Sequence, residues 1–240
     1  MAQQNGGNTK RGRQQSNATA MTRNSKYYIP DGDLRISIGS TEFRVHSYFF
    51  SREATAFFPV TAGSTNDNKP PANNPTDRRD HQAIVLENVS VSEFERFLWV
   101  FYNEEFNIYE TSLSEWLVIF KLASRWGFSK IGKFAMREIK KHQDNHSVVD
   151  WIVMFEQNEA PKEILLPLFA KLCMRDTTIT DEEVFKLSPE RAIQIFRIRE
   201  DIRSPGGSSP VSPKIKEIDV FPSVERLLFR SESRRQHNGE

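Results

Sequence analysis

The sequence predicts an α+β fold in which a three-stranded sheet is flanked by a bundle of about five helices and followed by a small all-α extension. Three observations carry that expectation. Residues 34–45 alternate apolar and polar with a Gly39-Ser40 break, which is the pattern of a hairpin. The period changes after His46, where apolar residues fall at helical spacing. From Ser90 onward, helix-start signals recur ahead of apolar stripes to the last third of the chain.

Residues 1–26 are Gln, Asn, Gly, Ser and Thr with scattered basic groups, and are expected to be a disordered tail because they offer too little apolar surface to offset ordering entropy. Tyr27, Tyr28 and Ile29 form the first apolar group, ahead of the strands. Leu34, Ile36 and Ile38 alternate with Asp33, Arg35 and Ser37, and Phe43 and Val45 alternate with Glu42 and Arg44, so two strands pair across the Gly39-Ser40 turn. Phe49, Phe50, Ala54, Phe57 and Phe58 then share one side of a helix. The run 61–80 is dense in Pro and Asn without any period, and is expected to be a disordered insert. Ala83 and Val85 on one side, with Ile84 and Leu86 on the other, predict a strand covered on both faces.

Ser90 and Glu93 have capping-box spacing before Phe94, Phe97, Leu98 and Phe101, and Ser112 and Glu115 repeat it before Trp116, Ile119, Phe120 and Ala123. With Leu117 and Leu122 added, the second of these helices is apolar nearly all round and should be central. Gly127 fits a left-handed helix end, and Ile131, Phe134, Ala135 and Ile139 mark the next helix. Shorter helices follow at residues 149–156, at 164–172 with a kink or break at Pro167, after Thr180 with Glu183, and from Ser188-Pro189 onward. The Gly/Ser/Pro run from Ser204 reads as a linker. Residues 204–240 are expected to be flexible, although Val224, Leu227 and Leu228 lie within reach of each other on one helical turn.

Composition excludes several classes of function. There are 240 residues, of which 38% are hydrophobic, and 18 Phe with 4 Trp supply enough apolar area for a packed core. Lys and Arg number 33 against 32 Asp and Glu, so no global field draws the chain to nucleic acid or an anionic membrane. The single Cys173 makes no internal disulfide, and no apolar run reaches the ~18 residues of a membrane span. With a polar N-terminus, these features lead us to expect a cytoplasmic or nuclear protein. No HExxH, phosphate-cradling Gly-rich loop, nucleophile elbow or CxxC is present, so no catalytic residues and no cofactor are expected. His142 and His146 stand four apart with Asp144 between them, but a third convergent ligand is missing and the pair falls at a helix end, so metal binding is not expected. The basic groups Lys130, Lys133, Arg137, Lys140 and Lys141 read as a solvated helix face.

Asp33, Leu34, Ile36, Gly39, Phe43, His46, Phe50 and Phe57 resemble the pattern of the BTB/POZ domain, and within it the fungal BTB-domain proteins. FLWVFYN, EWLVIFKLASRWGF and ILLPLFAKLCMRDTTITDEE extend the resemblance, while Ser47 and Ala54 depart from it. It implies a BTB/POZ domain over residues 27–143 and a helical extension over 144–203. It also implies a non-enzymatic interaction module that forms a homodimer through its first helix and strand edge and scaffolds other proteins. Asp33, Tyr48, Phe49, Phe50, Phe57 and Phe58 are the expected self-association residues, since that many aromatic groups exceed what one short helix hides in a core. The alternative is a substrate adaptor for a cullin-based ubiquitin ligase. The hydrophobic-x-Glu element of such adaptors corresponds to residues 58–63, which contain no Glu. Transcriptional regulation, a third use of the family, usually comes with zinc fingers, which this sequence lacks.

Overall fold

The structure, a computed structural model, describes residues 21–54, 56–57, 83–105, 108–203 and 215–229. The insert expected at 61–80, Phe58, most of the N-terminal tail and the 204–213 linker lie outside the described residues. The chain divides into two compact units, Met1–Ser47 with Asn74–Val91, and Tyr48–Asn73 with Ser92–Glu240.

The first unit holds the sheet. Its strands are β1 (Thr22–Tyr28), β2 (Leu34–Ile38), β3 (Thr41–Val45) and β4 (Ile84–Val85), in the order β1-β3-β2-β4. β2 and β3 are the expected hairpin, with Leu34 opposite Val45 and Ile36 opposite Phe43, so the two apolar sets share one face. Ile36, Phe43 and Val45 are fully buried, and Gly39 makes the turn with φ of 55°. Arg35 bonds Glu42 across the pair at 2.6 Å.

Two expectations need correction here. The sheet has four strands rather than three, because Thr22–Tyr28, mostly within the stretch expected to be a disordered tail, runs parallel to β3. That strand is held by its backbone more than by apolar alternation. Thr22 N donates to Ser40 O at 2.7 Å and Ile29 N to Arg44 O at 2.8 Å, and the Asn24 side chain accepts from Tyr27 N at 2.8 Å where the register shifts. β4 is two residues long and pairs parallel with β2, but Val85 is 62% exposed, so this strand is not covered on both faces.

The second unit is helical. α1 (Ser47–Ser51) and α2 (Val91–Tyr102) begin at its borders, and α3 (Leu113–Trp126) and α4 (Ser129–Lys140) follow. The Ser112/Glu115 capping box forms, Gly127 ends α3 at φ of 76°, and seven of the fourteen α3 residues are buried, as a central helix requires. Beyond a 3-10 turn at Gln143–Asn145 come α5 (Val148–Gln157), α6 (Lys162–Met174), α7 (Asp181–Leu187) and α8 (Pro189–Arg203). Ser147/Asp150 and Thr180/Glu183 form the boxes that start α5 and α7. Pro167 does not break α6, which runs unbroken through it. It sits in the second turn, where its missing donor deprives only the carbonyl of the exposed first-turn residue Glu163.

Residues 215–229, expected to be part of a flexible tail, are folded. α9 (Glu217–Val224) continues into a π turn at Glu225–Phe229 that packs on α6 and α8. Val220, Val224 and Leu228, at successive fours, are all buried. Glu225 meets Lys162 at 2.7 Å, Arg191 donates to Leu228 O at 2.9 Å, and Phe229 lies edge-on to Phe169. We expect Leu228→Asp to destabilise this unit by about 3 kcal/mol in urea unfolding, because the carboxylate would be buried without a partner. A frayed tail would give no change.

Candidate partner-binding groove

Of the described residues expected to mediate self-association, two belong to the core of the helical unit. Phe50 is fully buried and Phe57 is 3% exposed, and they pack against each other at 4.5 Å between ring centroids and on Phe128. Phe49 stacks on Phe101 at 5.0 Å and is half-buried, leaving Tyr48, at 60% exposure, as the aromatic side chain of that helix most open to solvent. The helical unit therefore hides more aromatic surface than five residues of α1 suggest, since α2, α3 and the 126–128 corner all contribute rings. Asp33 caps α1, accepting from Ser47 N at 2.7 Å and Ser47 Oγ at 2.6 Å. Partial burial opposes its ionisation, but the Ser47 hydrogen bonds outweigh this and hold the carboxyl below its usual value.

A groove of about 540 Å³ lies between the end of α4, the 3-10 turn, α5 and α6. Its floor is Ile139, Trp151 and Phe155, all buried, and its walls are the half-buried Met136, Val148, Ile164, Pro167 and Leu168. α6 supplies a whole wall because Glu163, Pro167 and Lys171 recur at intervals of four beside Ile164 and Leu168. The opposite side of the same helix buries Leu165, Phe169, Leu172 and Cys173. Exposed Lys140, Asp144, Glu163 and Lys171 stand on the rim, charged in both senses, and no ion pair engages any of them among the described residues. An apolar trough with a mixed-charge rim fits a peptide segment that brings one or two apolar anchors flanked by charges.

His146 lines this groove with its ring edge-on to Trp151, 5.4 Å between centroids, and the Trp151 indole donates to Gln143 O at 3.4 Å. His142 stands at the start of the 3-10 turn. Among the described residues no three His, Cys, Asp or Glu are placed to hold a metal ion. Burial pushes the Cys173 thiol up to about 12, against the pull of Arg199 and Arg203, so it stays protonated at neutral pH. Arg199, itself buried, donates to the carbonyls of Leu172 and Cys173 at 3.0 and 3.2 Å and to Thr177 O at 3.0 Å, closing the end of α6.

Two carboxylates beside the groove-forming helices sit well below their usual range. The Lys186 hydrogen bond, then that of Ser147, lowers Asp150 to about 2. The paired bonds from Arg175, both 2.7 Å, lower Glu183 to about 2 against partial burial. Both folded values lie below the ordinary 3.8 and 4.5, so their stabilisation is complete above those ordinary values and is lost as pH falls towards 2. We expect urea stability to fall between about pH 5 and pH 2, and to fall less steeply in a chain carrying Asp150→Asn and Glu183→Gln. Equal slopes would discount these two bridges.

Sequence reasoning missed the groove. A signal was present in α6, where apolar residues cover two faces and a single packed face needs only one. No family model matches the chain, and no curated protein or solved structure matches it. No helix among the described residues is long and apolar enough to cross a membrane.

Proposed function

We propose that this chain is a non-enzymatic protein-binding module of the BTB/POZ type, which self-associates and holds protein partners. The groove carries this reading, because it offers apolar depth for anchoring side chains and free charges of both signs at its rim. The order of elements supports the family. A β2-β3 hairpin leads into a short helix, β4 returns parallel to β2, and three longer helices follow. The test is affinity capture from cells with quantitative mass spectrometry, comparing the native chain with Leu168→Glu, whose half-buried side chain lines the trough. A defined set of proteins lost from the variant, whose circular dichroism is unchanged, supports the reading. Identical sets overturn it.

The cullin-adaptor reading draws on Glu104 and Glu105, both exposed beyond α2, in a turn that Asn103 fixes by donating to Glu105 O and Ile108 O at 3.0 and 2.8 Å. The 58–63 element lies outside the described residues. A complex with a cullin N-terminal region that Glu105→Lys dissolves would move this reading to first place.

A further inference from the structure

We propose that the outward face of α8 is a docking surface for a second copy of this chain, lying antiparallel to the first. The inference rests on the self-association reading and gives it a location away from α1. α8 is apolar on two sides. Ala192, Ile195 and Ile198 are buried inward, whereas Ile193 and Phe196 point outward at 52% and 42% exposure, with exposed Pro189 one turn before. Ile193 and Phe196 are three apart and so adjacent on the helix surface. The docked C-terminal segment reaches α8 through Arg191 and Asp201, beside this stripe and not on it.

Charge decides what fits there. Glu190 and Arg197 flank the stripe on the same side, both exposed, and neither has an ion-pair partner among the described residues. They are seven residues apart, about 10 Å along the axis, which is too far to pair with each other. A two-fold axis midway between Ile193 and Phe196 sets Ile193 against the partner's Phe196. At 1.5 Å per residue it also brings Glu190 to within about 3 Å, along the axis, of the partner's Arg197. The symmetry repeats each contact, so one apolar pair and one ion pair become two of each. A parallel two-fold runs along the helices and sets this flank of the two copies on opposite sides of the contact, leaving Glu190 and Arg197 unpaired, so only the antiparallel arrangement uses both charges. A single pair of four-turn helices buries less than a standard interface, so we expect a weak, concentration-dependent contact.

Sedimentation velocity on the full chain, from about 1 to 200 µM, tests the proposal. We expect a monomer–dimer equilibrium that Ile193→Asp weakens at least about tenfold, with an unchanged melting curve because the side chain is half exposed. Glu190→Arg and Arg197→Glu should each weaken it alone, and the double reversal, or a mixture of the two single variants, should restore it. A dimer indifferent to all these variants overturns this surface while leaving self-association standing. A chain monomeric throughout overturns both. Loss without recovery in the double reversal overturns the antiparallel register.

Discussion

Replacing Phe128 by alanine is expected to remove about 4 kcal/mol, most of the stability of an ordinary domain. Phe128 is fully buried at the corner between α3 and α4, with ring centroids of Phe97 at 5.1 Å, Phe50 at 5.8 Å, Phe101 at 5.9 Å and Phe57 at 6.4 Å. These neighbours come from α1, α2 and the bend that follows α1, so no single element can shift to refill the space. The backbone role of the residue, N donating to Ala123 O at 2.8 Å to close α3, survives the substitution, and the loss reports the ring alone. Urea unfolding followed by tryptophan fluorescence measures it, since Trp126 lies 5.1 Å from both Phe97 and Phe57. A loss under about 1 kcal/mol would mean that the corner is not packed as described.

Gly32→Ala is the second large effect, in the other unit. A Cβ at Gly32 would meet Val45 N and Val45 O at 2.9 Å and Arg44 C at 3.0 Å, all of them backbone atoms of β3 or bonded to it. No flexible side chain can move aside, so the turn before β2 must separate from the strand. That would disturb the Arg44 bond to Gly32 O at 2.7 Å and the Gly32 N bond to Ile29 O at 3.1 Å. We expect a cost of about 3 kcal/mol, at the upper end for overpacking because backbone has to yield. Two further glycines calibrate it. At Gly39 nothing lies within 4 Å, but φ is positive, and alanine should cost about 1 kcal/mol from conformation alone. At Gly132, inside α4, the nearest atom is the Ala123 methyl at 3.9 Å, so alanine should stabilise by up to about 1 kcal/mol. Thermal melting of the three variants should rank them in that order, and a Gly32→Ala chain as stable as the native one would refute the close approach.

The hairpin and α3 were legible in the sequence because each satisfies its requirements locally, through alternation across Gly39 or through a capping box and a left-handed glycine. β1 was not, because its pairing with β3 is made of main-chain bonds that composition does not encode. The aromatic residues after His46 were identified as apolar, but not where they point. Whether Phe50 and Phe57 face a partner or Phe128 depends on residues some seventy positions away. The groove was illegible for a related reason, since its floor and walls come from α4, α5 and α6 and no one of them contains it. Residues 204–240 were read as flexible, with Val224, Leu227 and Leu228 grouped on one turn, because the face on α6 and α8 that buries Val220, Val224 and Leu228 appears only once the helices are assembled.

That last docking has a consequence for how the protein is made. The face of α6 that carries Phe169 is complete as soon as Met174 has been synthesised, but the segment that covers it ends at Phe229. At about 5–20 residues per second, a ribosome needs roughly 3–10 s to add the remainder, far longer than helices take to form and collapse. Throughout that interval part of this apolar face is uncovered, and residues 217–229 act as its delayed cover. A messenger truncated before residue 217 would leave that part of the face uncovered for good, and we expect its product to be retained by chaperones or degraded even though every helix from α1 to α8 is encoded.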